Sequence, residues 1–81
     1  MNRKISNIIE AFLLQEWNIK IDIIETVTWN DVKQLDSLSF VKLIVSIENE
    51  LGIEFDEDMM IKDRFKNFGE LISYIEEKVE G

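Results

Sequence analysis

The chain has 81 residues with 9 basic against 17 acidic side chains, a formal net charge of −8, and neither cysteine nor histidine. One small domain over residues 1–81 is expected, near the lower limit at which a hydrophobic core suffices without disulfides or metal. The charge argues against nucleic acid and anionic membrane as partners, and the missing histidine removes the usual general base, the commonest zinc ligand and the histidine of any Ser/His/Asp triad.

The first segment carries Ile5, Ile8, Ile9, Phe12 and Leu13 at helical spacing, with Asn7, Glu10 and Gln15 between them. This pattern predicts an amphipathic helix from Arg3 to Trp17. Charge and asparagine in "MNRKISNIIEAFL" interrupt the continuous apolar region that a secretory signal needs, and no apolar run approaches a membrane span. A soluble cytoplasmic protein is the expectation.

From Asn18 to Leu35 the periodicity weakens, mixing β-branched residues with Asn and Asp. The segment reads as a long loop packed down by its own side chains, with Ile23, Val27, Trp29 and Leu35 as expected anchors. A second helix is predicted to start at Ser37, because the Asp36 carboxylate is a good N-cap for the exposed N–H groups of a first turn. Gly52 supplies its stop after Leu51. A short helical turn is expected around Asp58 to Phe65, with Met59 and Met60 beside Ile61 and Phe65 as gap-filling core. The last helix has Asn67 as N-cap and Glu70 three residues on, as in a capping box, with Leu71, Ile72, Ile75 and Val79 on one face.

The second helix is apolar on two sides. At about 100° per residue, Phe40, Leu43, Ile44, Ile47 and Leu51 form one sector, the expected core stripe. Leu38, Val41 and Val45 form another, roughly 100–160° round from Phe40, and one small bundle does not readily bury both. Two readings stay open: ordinary exposed apolar surface partly covered by the long loop, or a docking patch flanked by Asp36 and Glu48 beside a hydroxyl at a helix start. The stretch "DEDMMIKDRFKN" begins like a calcium loop, but Ile61 stands where glycine is needed and Asn67 where the twelfth-position glutamate belongs, so no metal site is expected. Ser37 has no base to activate it, and no catalytic residue is assigned.

Leu35, Asp36, Ser37 and Leu38, followed by "VKLIVSIENELGIEF" and closing on "FGELISYIEEKV", resemble the attachment region and last helix of acyl and peptidyl carrier proteins. The resemblance covers nearly the whole chain. It implies an all-α fold: a small four-helix bundle of the acyl carrier protein type, with a long loop between the first two helices and a short third helix. It also implies that a phosphopantetheinyl transferase attaches 4'-phosphopantetheine from coenzyme A to Ser37, with Asp36 and Leu38 flanking it. Acyl or aminoacyl groups then ride on the arm's thiol as thioesters, brought by a loading enzyme and taken by a downstream transferase or synthase. Leu38, Val41, Lys42, Val45 and Glu48 are the candidate docking residues of a monomeric, freestanding carrier.

Two departures from that family's pattern stand out. Gln34 occupies the position three before the serine where glycine is frequent, and Ser39 and Lys42 stand where fatty-acid-type carriers tend to have acids. They favour a specialised nonribosomal peptide, polyketide or aminoacyl-transfer pathway. The alternative is a small acidic helical interaction module in which Ser37 merely starts a helix.

Overall fold

The computed structural model describes residues 4–21 and 23–80, and three α-helices account for most of them. Helix α1 spans Lys4–Trp17, α2 Ser37–Leu51 and α3 Phe68–Glu80. Arg3, where the first helix is predicted to begin, lies outside the described residues. Among the described residues the only β-type pairing is an isolated antiparallel bridge between Thr28 and Asn67.

Each helix turns one apolar stripe inward. Ile5, Ile9 and Leu13 of α1 meet Phe40, Leu43, Ile44 and Ile47 of α2 and Phe68, Leu71, Ile72 and Ile75 of α3, all buried. Steps of three and four residues put these side chains on one face, and burying one large aliphatic or aromatic side chain contributes about 1.5–3 kcal/mol. Leu51, expected in the α2 stripe, is only half-buried, and Val79 near the end of α3 is exposed.

Both ends of α2 form as the local signals require. Asp36 is extended and its carboxylate accepts from the Ser39 backbone N–H at 2.8 Å. Gly52 adopts the left-handed conformation, φ 67°, that lets its N–H and that of Ile53 reach the Glu48 carbonyl. Helix α1 ends similarly at Asn18, φ 55°, with Asn18 and Ile19 donating to the Leu14 and Leu13 carbonyls. At the start of α3 the Asn67 side chain accepts from the Glu70 N–H at 3.0 Å. The Glu70 carboxylate reaches one residue further back than a capping box requires, to the Lys66 N–H at 2.9 Å.

The connection from α1 to α2 carries two 3₁₀ turns, Ile24–Thr26 and Trp29–Val32. Its anchors differ by one residue from the expectation: Ile24 is fully buried and Ile23 is 57% exposed. The turn explains the exchange, since Ile23 is its extended leading residue and Ile24, the first inside it, points between α1 and α3. Ser6, buried on α1, donates to the Glu25 carboxylate at 2.7 Å and ties the turn to that helix. Ile19, Val32 and Leu35 are buried, while Val27 and Trp29 pack half-buried against the core. The Trp29 indole donates to the Phe65 carbonyl at 2.6 Å and its ring meets Phe40 and Phe68.

Where a short third helix is expected there are two single 3₁₀ turns, Glu57–Met59 and Lys62–Arg64. Phe65 is buried and Met59 and Met60 pack partly against the core, but Ile61 is 51% exposed. Ile61 leads the second turn in extended conformation, which directs it away from the neighbours on either side. Tyr74 and Lys78 of α3 secure this stretch through Asp56: the phenol donates to its carboxylate at 3.3 Å, and the ammonium stands 3.5 Å away.

Candidate functional site

The approach to α2 is held from three directions. Leu35 is buried, its N–H donating to the Val32 carbonyl at 2.9 Å, so the chain enters the helix from a fixed point in the core. Asp36 then caps the first turn. From 27 residues further on, the partly buried Lys62 ammonium donates to the Leu35 carbonyl at 3.1 Å. Ser37, the first helical residue, follows these three restraints and is exposed; among the described residues no group bonds to its hydroxyl.

Asp36 is charged at neutral pH with margin. The Ser39 backbone N–H, and after it the Ser39 hydroxyl, hold its carboxyl below the usual value of 3.8; desolvation opposes them, and the nearby Lys62 charge adds a smaller push in the same direction. The carboxylate is therefore occupied in capping. A carboxyl held below its usual value is also a weaker base for the adjacent hydroxyl than a free carboxylate.

The predicted second stripe is exposed. Leu38 is 74% accessible, Val41 37% and Val45 42%, while Phe40, Leu43, Ile44 and Ile47 of the same helix are buried. Neither Leu38 nor Val41 is buried by the connecting loop, whose Ile24, Val32 and Leu35 join the core instead. Lys42 is exposed alongside. Glu48 departs from its expected role, because its carboxylate accepts from the Phe55 N–H at 2.7 Å in a partly buried contact. It holds the chain leaving α2.

Trp17 and Glu16, which nothing in the sequence marks beyond the end of a helix, stand opposite Val41, Lys42, Val45 and Ser46. Together they line a half-open groove of about 450 Å³. A larger cleft of about 570 Å³ lies by α3, with Glu25, Arg64, Tyr74 and Glu77 in its wall, and takes no residue from α2. Neither Lys62 nor Trp17 has a short-range signal pointing to Ser37; both reach the site through tertiary packing.

Among the described residues no helix is long and apolar enough to cross a membrane, and no group of three or more acidic side chains is arranged to hold a metal ion. The exposed hydroxyl fits a covalent phosphodiester: it leads a 15-residue helix whose N-terminal dipole favours anions, with the Lys62 ammonium bonded to the Leu35 carbonyl two residues before it. Residues 15–75 match a family model described as a phosphopantetheine attachment site. No solved structure matches the chain.

Proposed function

The chain belongs to the phosphopantetheine-binding carrier family, and from that premise we propose that Ser37 is the residue that receives its covalent 4'-phosphopantetheine. The observation that carries this reading is an exposed serine hydroxyl at the start of α2, beside an uncovered apolar face. Bound there, the arm supplies a thiol, which this cysteine-free chain lacks, for carrying acyl or aminoacyl groups as thioesters.

Attachment forms the Ser37 Oγ–P bond and breaks the pyrophosphate bond of coenzyme A. The nucleotide half leaves, and the hydroxyl proton passes to a base of the phosphopantetheinyl transferase. The chain's own part is positional. Leu35 and Lys62 fix where the helix begins, Asp36 keeps its first turn wound, and the leading position keeps the hydroxyl clear of the core. With no histidine or cysteine and its nearest carboxylate occupied, the protein serves as a carrier and not as an enzyme.

Leu38, Val41 and Val45 supply an apolar contact for the transferase and the loading and downstream enzymes, with Lys42 at its edge. Their exposure supports that role, and the surrounding negative charge suits basic partner surfaces. Ser39 and Lys42 favour a specialised nonribosomal peptide, polyketide or aminoacyl-transfer system over fatty-acid synthesis, with the carrier domain acting as a monomer in the cytoplasm. Intact mass after coexpression with a broad-range phosphopantetheinyl transferase tests attachment. The parent should gain the mass of one arm and Ser37→Ala none, with helical circular dichroism nearly unchanged; modification of the Ala variant, or of Ser39 or Ser46 in the parent, would overturn the assignment.

A further inference from the structure

Resting on Ser37 as the attachment point, we propose that the groove between the end of α1 and the exposed side of α2 is the resting site of the chain's own arm. The geometry along α2 leads there. At 100° per residue, Val41 and Val45 lie about 40° and 80° round from Ser37, so the exposed apolar track starts under the serine and turns gradually into the groove. At 1.5 Å rise per residue, Val41 is about 6 Å and Val45 about 12 Å along the axis from it. The main chain of 4'-phosphopantetheine runs about 14 bonds from the serine oxygen to sulfur, between four and five extended residues, roughly 14–17 Å of reach. An arm lying along α2 therefore brings its thiol to the level of Val45 and Trp17.

The lining matches the arm's chemistry from one end to the other. Its geminal methyl groups meet Val41, and the two-carbon segments meet Val45 and the half-buried Trp17 ring. Its hydroxyl and two amides find Glu16, Lys42 and Ser46 on the same walls. The volume, about 450 Å³, lies within the roughly 300–1,000 Å³ typical of small-molecule sites. The cleft by α3 has no such continuity, because no α2 residue enters its wall. Since the groove shares Val41 and Val45 with the proposed docking face, a partner must lift the arm as it docks, and a resting thioester is shielded on one side.

The test uses isotope-labelled holo-protein whose modification at Ser37 has first been verified by mass. Nuclear Overhauser contacts are expected from the arm's methyl and methylene protons to the Trp17 indole and to the Val41 and Val45 methyls. The Trp17 indole N–H resonance should shift between unmodified and modified protein, while that of Trp29, bonded to the Phe65 carbonyl, stays in place. Trp17→Ala should abolish the contacts at that end, and Ser46→Ala, which leaves the apolar walls intact, should weaken them if the first variant folds poorly. A modified protein whose arm gives no contacts, or contacts the α3 side, overturns the inference and leaves the carrier reading standing. Absence of modification at Ser37 removes both.

Discussion

The Glu48 carboxylate accepts from the Phe55 backbone N–H at 2.7 Å, so an acid on α2 braces the chain seven residues later, just past the helix stop. Hydrogen bonds to charged groups contribute about 1.5–3 kcal/mol when partly shielded, and removing the acceptor leaves a donor to be resolvated. Glu48→Ala should therefore lower stability by about 1–2 kcal/mol in urea unfolding. Its modification by the transferase should slow no more than the unfolded fraction accounts for. A variant that is fully folded yet slowly modified would return Glu48 to the docking surface.

The two stripes of α2 should respond to substitution in opposite ways. Leu43 and Ile47 are fully buried, and truncating either to Ala should cost about 2–5 kcal/mol through lost contacts and a residual cavity. Val41→Asp and Val45→Asp place charge on accessible surface and should leave the thermal midpoint nearly unchanged while slowing modification and loading. Unfolding of the aspartate variants would mean that this face is core.

Asp36 gives the helix start a pH dependence of known sign. Its carboxyl is held below 3.8 in the fold by the Ser39 backbone N–H, so the charged form belongs to the folded state. The resulting stabilisation is fully present above the unfolded value near 3.8 and is lost as pH falls through the lower folded value. Comparing unfolding of the parent with Asp36→Ala should give a stability difference that is constant from neutrality down to about pH 4 and shrinks below it. A difference that grows on acidification would contradict the capping role.

Lys42, exposed about one turn beyond Ser37, presents a positive charge to partners that read this region with arginine or lysine. Exposed charge pairs contribute a few tenths to about 1 kcal/mol. Lys42→Glu should raise kcat/KM with a fatty-acid malonyl transferase several-fold at low salt, where screening is least, and the gain should fade as ionic strength rises. Equal values for both proteins at every salt concentration would show that Lys42 does not discriminate between partner sets.

What the sequence by itself determined was whatever depends on neighbours within a turn or two. Asp36 before Ser37 and Gly52 after Leu51 set the limits of α2, because a cap needs only the first backbone N–H groups and a left-handed stop needs only its own conformation. The separation of Leu43 and Ile47 from Leu38, Val41 and Val45 follows from helical periodicity alone, and the serine at the helix start was legible for the same reason. Tertiary structure decided the rest. Ile24 replaces Ile23 as an anchor because packing of its turn against α1 and α3 selects between adjacent apolar residues that local pattern leaves equivalent. The stretch from 57 to 64 forms two 3₁₀ turns, too short to carry a periodic signature. Lys62 reaches Leu35 across 27 residues, and Trp17 faces Val45 from another helix. Contacts of that separation exist only once the core has brought the helices together, because the free energy that selects them comes from burial shared among α1, α2 and α3 and not from any one segment.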